Sequence, residues 1–337
     1  MKEAESGSVG LQFLVVLLFV AAVASAAAAA AGAASRYERR SLAAAGMRAA
    51  LEAAARERIK LLLADTSPES DSRADPFWNA PQVTEDGVTL TVRDASSGLN
   101  ANFVRKNVFQ KTSLSRLLLP GKDAADLQQF REDKGLSLSR EAYAAFFTEE
   151  ALSTSVVVHG WANINVSDEF ALRSLFGTAT GTDTGAEAFH GKVQALLREG
   201  LLVQRVELDA FLGFDRDALY PLINAEPSMN VNFVDPFVLR ELLAYPDYAL
   251  PEASGKAEAL IALRDGDGIN PAELTALLGP ECSPVLKEYF GCRTWFWEVT
   301  ARKDGRELSL VVARYPDGAA GTGSGPRLAI VETRMRP

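Results

Sequence analysis

The stretch "SGSVGLQFLVVLLFVAAVASAAAAAAGAASRYERR", residues 6 to 40, constrains this chain more than any other. It runs apolar for about 25 residues, long enough to cross a bilayer as a helix. That exceeds the apolar core of a secretory signal peptide, although the alanines after Val23 offer A-x-A cleavage sites as well. The apolar strength lies in Leu11 to Val23, and the alanines are strong helix formers. From Arg36 to Ala64 there is no proline and a single glycine, Gly46. Leu51, Ala55, Ile59, Leu62 and Leu63 recur at helical spacing, with Glu52, Arg56 and Lys60 on the other side. The whole reads as one helix of about 55 residues, roughly 80 Å long at 1.5 Å per residue. Its first half suits lipid, and its second half carries one apolar stripe suited to packing on a folded domain. The basic flank Arg36, Arg39 and Arg40 comes after the apolar run, whereas the start sets Lys2 against Glu3 and Glu5. The positive-inside tendency taken alone keeps the C-terminal domain in the cytoplasm.

The rest of the chain divides by pattern. Residues 65 to 87 are polar and proline-bearing and read as a loop that ends the helix. "VTLTVRD" alternates Val88, Leu90 and Val92 with polar residues, a half-buried strand. "TWFWEVTARKDGRELSLVVARY" reads as two strands around a Lys303–Gly305 turn, with Trp295, Trp297 and Val299 on one face. "RLAIVETRMR" is a last strand. Together they predict an antiparallel sheet of about four strands, with the long helix covering one face. Between them, about 105 to 290 reads as short amphipathic helices closed by glycine or turn residues, among them "SDEFALRSLFG", "RVELDAFLG", "DPFVLRELLAY" and "NPAELTALLG". The fold expected is α+β: a long N-terminal helix packed on an antiparallel sheet, with a large all-α domain inserted.

Three places share an N-x-N pattern: Asn100 and Asn102, Asn163 and Asn165, Asn230 and Asn232. The last two lead into helix starts, where Ser167 and Asp235 are the expected caps and Pro236 holds the first helical position. Tight turns before capped helices account for the pattern, because asparagine satisfies local backbone groups. Helices entered this way also suggest helix-hairpin-helix, or SAM-like, units. The glycine-rich hairpin that would present amides to phosphate is missing, and the formal charge of −9 disfavours nucleic acid. Cys282 and Cys292 are too far apart for a CxxC site but able to pair in an oxidising compartment. His159 and His190 sit in no nucleophile or metal pattern and read as structural, and no nucleophile elbow, phosphate loop or paired-carboxylate signature stands out. "RDGDGINPAE" gathers Asp265, Asp267, Asn270 and Glu273, oxygen ligands suited to calcium but without EF-hand spacing.

In this order the pieces resemble a type IV pilin-like protein. Two stretches, "REGLLVQRVELDAFLGFDRDALYPLINAEPSMNVNFVDPFVLRELLAYP" and "YFGCRTWFWEVTARKDGRELSLVVARYPDG", resemble the K-type minor pseudopilin of type II secretion, the GspK family. The resemblance covers nearly the whole chain. It implies a leader, residues 1–7, removed by prepilin peptidase after Gly7 and before Ser8, with Gly10 as the alternative, and methylation of the new N-terminus. It implies a membrane half of the helix at 8–35, a pilin-like domain at 36–104 and 291–337, and an inserted helical domain at 105–290. The fifth mature position is then Gln12, or Val15 after cleavage at Gly10. Most pseudopilins carry a glutamate there that pairs with a neighbour's amine, and K-type members lack it, as suits a tip subunit. Calcium in the helical domain is a further implication, at Asp265 and Asp267.

The implied protein is not an enzyme. It is a single-pass inner-membrane subunit with its C-terminal domain in the periplasm, and it initiates or caps a pseudopilus. Its partners are prepilin peptidase, other minor pseudopilins and the inner-membrane secretion platform. The sequence departs from the family in its leader, which has one lysine against two glutamates, and in lacking threonine after N-x-N. Two other readings stand beside it: a membrane-anchored helix-hairpin-helix DNA receptor, and a minor pilin of a type IV pilus.

Overall fold

A computed structural model describes residues 3–64, 69–79, 82–180, 182–198, 223–282, 288–315 and 327–336. The chain divides into two compact units, residues 1–53 and 54–337. A single helix, Glu3–Leu63, makes up the described part of the first unit and supplies the opening of the second. Phe19, Val23, Tyr37 and Leu42 lie exposed along its first part. Among the residues whose side chains are described, no helix is long and apolar enough to cross a membrane. The most apolar stretch, Leu11 to Leu18, falls outside them.

In the second unit the helix end carries the expected stripe. Ala55, Ile59 and Leu62 are buried, whereas Leu63 is 57% exposed. Leu63 departs from the expectation because it is turned by about 100° from Leu62 around the helix axis. The Arg58 guanidinium is buried and donates to the Phe77 carbonyl at 3.0 Å. Phe77 in turn meets Trp297 edge to face, 6.0 Å between ring centroids, which ties the helix end to the sheet.

Among the described residues ten strands occur in chain order: β1 Thr89–Asp94, β2 Leu99–Asn100, β3 Val156–Val157, β4 Ala162–Asn163, β5 Ile223–Asn224, β6 Met229–Asn230, β7 Phe290–Gly291, β8 Phe296–Lys303, β9 Arg306–Tyr315 and β10 Arg327–Arg336. Four of them form an antiparallel sheet in the order β1-β8-β9-β10. Asp304 and Gly305 turn the β8–β9 hairpin, both at positive φ, as a tight two-residue connection requires. Trp297, Val299 and Ala301 lie opposite Val312, Leu310 and Leu308, all of them fully buried. Trp295 does not share that face. It precedes β8 and clusters with Phe296, Trp161, Ala95, Val311 and Ala313 on the other side, so both faces of this end of the sheet are buried.

The segment between β1 and β8 is helical and modular. Three two-residue parallel pairs, β2–β3, β4–β5 and β6–β7, each open and close one run of chain. The first run holds helices Lys106–Lys111, Ala124–Lys134, Arg140–Tyr143 and Glu149–Thr154. The second holds Glu169–Thr180 and Asp183–Arg198. The expected helix at "RVELDAFLG" lies outside the described residues. The third run holds Pro236–Leu243, Ala253–Arg264 and Pro271–Leu278. The same short step joins β3 to β4, β5 to β6 and β7 to β8. These pairs are invisible in the sequence because two residues are too few to show an alternation.

Local chemistry sets the helix starts. Asp235 accepts from the Phe237 and Val238 amides with Pro236 at the first helical position, as expected. In the second module the cap is Asp168, which accepts from Phe170 at 3.0 Å and Ala171 at 3.4 Å, and not Ser167. Ser167 is drawn back into the turn, where its own amide donates to the Asn163 carbonyl.

Candidate functional site: asparagine clamps and a buried ionic junction

Each N-x-N segment is a clamp. The first asparagine ends the opening strand, and its Oδ1 accepts the amide two residues on: Asn102 to Asn100 at 2.9 Å, Asn165 to Asn163 at 2.9 Å, Asn232 to Asn230 at 3.0 Å. Its Nδ2 then crosses to a part of the chain distant in sequence. Asn100 donates to the His159 carbonyl at 3.0 Å. Asn163 donates to the Glu226 carbonyl at 3.0 Å and to that of Glu288 at 2.9 Å. Asn230 donates to the Asp71 carbonyl at 2.9 Å and to Thr294 Oγ1 at 3.0 Å.

In the first and third modules the second asparagine grips a returning loop by both backbone groups of one residue. Asn102 accepts from Ser137 N and donates to Ser137 O, and Asn232 does the same with Ile269. An arginine closes each of these turns from the carbonyl side. Arg131 donates to Ala101 and Val104, and Arg264 to Val231 and Val234. Arg105, just after the first turn, donates to Asn165 and Ser167 of the second. Buried amides and carbonyls left open cost free energy comparable to a lost hydrogen bond, so these side chains replace the ladder that such short strands cannot supply.

The third clamp leads into an ionic junction. Arg314 on β9 donates to both oxygens of Asp71, at 3.0 and 3.1 Å, and the pair is almost fully buried. Asp71 Oδ2 also accepts from the Thr294 amide at 2.7 Å, while its own amide donates to the Cys292 carbonyl. The Arg314 guanidinium lies 4.7 Å from the centre of the Trp297 ring. Thr294 Oγ1 donates onward to Asp94 Oδ2 at 2.6 Å. Asp94 at the end of β1 also accepts from the amides and hydroxyls of Ser96 and Ser97. Burial pushes the Asp94 carboxyl up, and those hydrogen bonds act against it. Sheet, third module and the 69–75 loop therefore meet in one continuous polar network.

His159 is buried against the sheet, stacked on Phe296, with Nε2 3.2 Å from Glu332 of β10. Burial pushes its pKa down to about 4 despite the Glu332 carboxylate. It is neutral at pH 7, which fits the structural role expected of it. His190 is also buried and shifted down by burial. Gly160 beside His159 is required, because a Cβ there would sit 2.6 Å from Asn100 Nδ2.

The sequence-predicted site residues fare differently. Gly7, Ser8, Gly10, Gln12 and Val15 lie in the long helix, and their side chains are outside the described residues. Asp265 and Asp267 are exposed on the turn after Ala253–Arg264. Asn270 and Glu273 do not join them. They form a capping box at the start of Pro271–Leu278, where Asn270 Oδ1 accepts from the Ala272 and Glu273 amides and Glu273 accepts from the Asn270 amide. Among the described residues no three carboxylate, imidazole or thiol groups gather to hold a metal. The "GDGIN" turn is shaped instead by the Asn232 clamp at Ile269. It is also shaped by Gly268, whose φ of +89° and whose approach to Ser72 leave no room for a side chain. Cys282 and Cys292, which the sequence shows as able to pair, are both buried as free thiols. Each is packed in the large helical core, and burial pushes the Cys292 thiol up to about 12.

Sequence reasoning found the asparagines and missed their arginines and the Asp71–Arg314 pair, whose partners are far apart in sequence. The fold defined by these features is α+β, a long N-terminal helix and a four-stranded antiparallel sheet interrupted by clamped helical modules. No family model matches the chain, and no curated protein matches it. Among solved structures, the chain is similar over 90% of its length to a chain of the GspK–GspI–GspJ complex of the type 2 secretion system of enterotoxigenic Escherichia coli. It covers 99% of that chain at 16% identity and a TM-score of 0.43.

Proposed function

We propose that the chain is a minor pseudopilin of K type, a mechanical subunit that initiates or caps a pseudopilus in type II secretion. The observation that carries this reading is the unbroken helix Glu3–Leu63 running into an α+β unit whose sheet is split by helical modules. A helix of that length with Phe19, Val23, Tyr37 and Leu42 exposed needs lipid or neighbouring helices to cover it. In the proposed assembly its apolar front first holds the protein in the inner membrane, the head facing the periplasm. After prepilin peptidase removes residues 1–7, the same surface packs against the helices of other minor pseudopilins, with the inner-membrane platform as their common base. Gln12 at the fifth mature position is neutral and demands no ammonium partner from a subunit above it, which suits a tip. The modules add bulk on the head and would block further addition sterically. No chemical step is assigned to the chain.

The test is the mature N-terminus, measured by mass spectrometry after expression with and without a prepilin peptidase. A peptidase-dependent start at Ser8, or at Leu11, is expected. An intact Met1, or a start within the alanine run, would remove the assembly helix and the reading with it.

A further inference from the structure

A cleft of about 430 Å³ opens beside the β1 edge of the sheet, lined by Arg73, Trp78, Val92, Arg93, Arg140 and Phe233 among others. Three of these side chains are guanidiniums. Arg93 is matched, since it pairs with Glu298. Asp94, at the same edge, is also engaged, with both oxygens taken by Ser96, Ser97 and Thr294. Arg140 is different. It is half-buried and makes no hydrogen bond or ion pair among the described residues. The nearby Glu298, bonded to Arg93 and Ser309, makes no ion pair with Arg140 but partly offsets its burial by charge. Burial first, and then the neighbouring Arg93, push the Arg140 guanidinium down to about 10. Arg140 has no directly bonded anion, and a carboxylate entering the cleft would stabilise it.

Two further features say what carries the carboxylate. β1 is an edge strand, and the Leu90 amide points away from the sheet, donating to the Gln82 carbonyl at 2.6 Å. Strand period two gives Val92 the same orientation, so its N–H and C=O face the cleft. Trp78 and Phe233, 4.4 Å apart between ring centroids, give the cleft an apolar wall. We propose that this cleft receives an extended, acidic segment of a partner protein, which pairs with β1 at Val92, beyond the stretch that residues 82–84 cover, and places a carboxylate on Arg140 and Arg73. Backbone bonds to Val92 supply the register, the guanidiniums select the acidic side chain, and the aromatic wall takes an apolar neighbour.

The test uses the full chain in detergent and two fluorescein-labelled peptides, Val-Ile-Glu-Ile-Val-amide and its glutamine counterpart, read by fluorescence anisotropy. The glutamate peptide should bind at least about fivefold more tightly. Arg140→Gln should weaken it about tenfold, the loss of one charge-assisted contact, and Arg73→Gln, at an exposed position, should weaken it less. Val92→Pro removes the outward N–H while leaving the pairing with β8, since proline is tolerated on an edge, and should weaken both peptides. Melting temperatures of the variants should match that of the parent chain, so that loss of binding is not loss of fold. Equal affinity for the two peptides, or an Arg140→Gln variant that binds as the parent does, would overturn the carboxylate assignment. Unchanged binding by Val92→Pro would overturn strand addition. Acetate or inorganic phosphate displacing the peptide at equal concentration would replace a peptide segment by a small anion.

Discussion

Replacing Asp71 by alanine tests the junction between sheet and modules directly. The change removes two hydrogen bonds from Arg314 and one from the Thr294 amide, all inside the protein. It leaves the Arg314 guanidinium buried beside Trp297 without its carboxylate. Breaking a buried pair from one side costs about 3–5 kcal/mol, most of it the penalty of the stranded charge. For a unit of this size, with an unfolding entropy of about 2 cal/mol/K per residue, that lowers Tm by about 5–8 °C. The assay is urea denaturation followed by tryptophan fluorescence, since Trp297 and Trp295 sit at the junction, with differential scanning fluorimetry alongside. Arg314→Met alone should cost a similar amount. The double variant Asp71→Leu with Arg314→Met removes both charges and should recover most of the loss, because apolar replacements of a buried pair are often neutral or better. A Tm within about 2 °C of the parent for Asp71→Ala, or a double variant as unstable as the sum of the singles, would refute the coupling.

Three other outcomes are expected. Asn232→Ala removes bonds to Asp71 and to both backbone groups of Ile269, and should cost about 2–4 kcal/mol in denaturation, against about 1 kcal/mol for Asn165→Ala, whose side chain donates to the Ala225 carbonyl. His159 binds its proton near pH 4 in the folded protein and near 6.5 when unfolded. The unfolded state therefore takes up more protons between those values, and stability falls as pH drops through that window, by about 3 kcal/mol in all. Denaturation midpoints at pH 7, 5.5 and 4 should show the fall, and His159→Gln should flatten it. Millimolar calcium should leave Tm unchanged, since Asn270 and Glu273 are engaged in the capping box and Asp265 and Asp267 stand exposed on their turn; a saturable rise in a thermal titration would show a site there.

The legible part of this fold was its local part. The alternation in β1, β8 and β9, the Asp304–Gly305 turn and the Asp235–Pro236 helix start are written within a few residues each. Asn232 was legible as a turn residue, but its grip on Ile269 was not, because nothing in "MNVNF" says which loop returns to it. Trp295 misled because alternation runs unbroken through "TWFWEV", whereas the strand starts only at Phe296. Arg314 alternates like any strand residue, and only the fold reveals Asp71 beneath it. The oxygen-rich "RDGDGINPAE" looked like a ligand set because helix caps and cation sites draw on the same side chains.

The sheet topology carries a consequence for the order of events in folding. Arg93 and Glu298, neighbours across β1 and β8, are 205 residues apart in the chain. Each helical module closes over a far shorter loop, and local contacts form faster than distant ones. β1 therefore waits, with only the local segment 82–84 beside it, until the modules have condensed and brought β8 alongside it. A chain that stops short of Phe296 should keep its helices and short strand pairs and lose the four-stranded sheet.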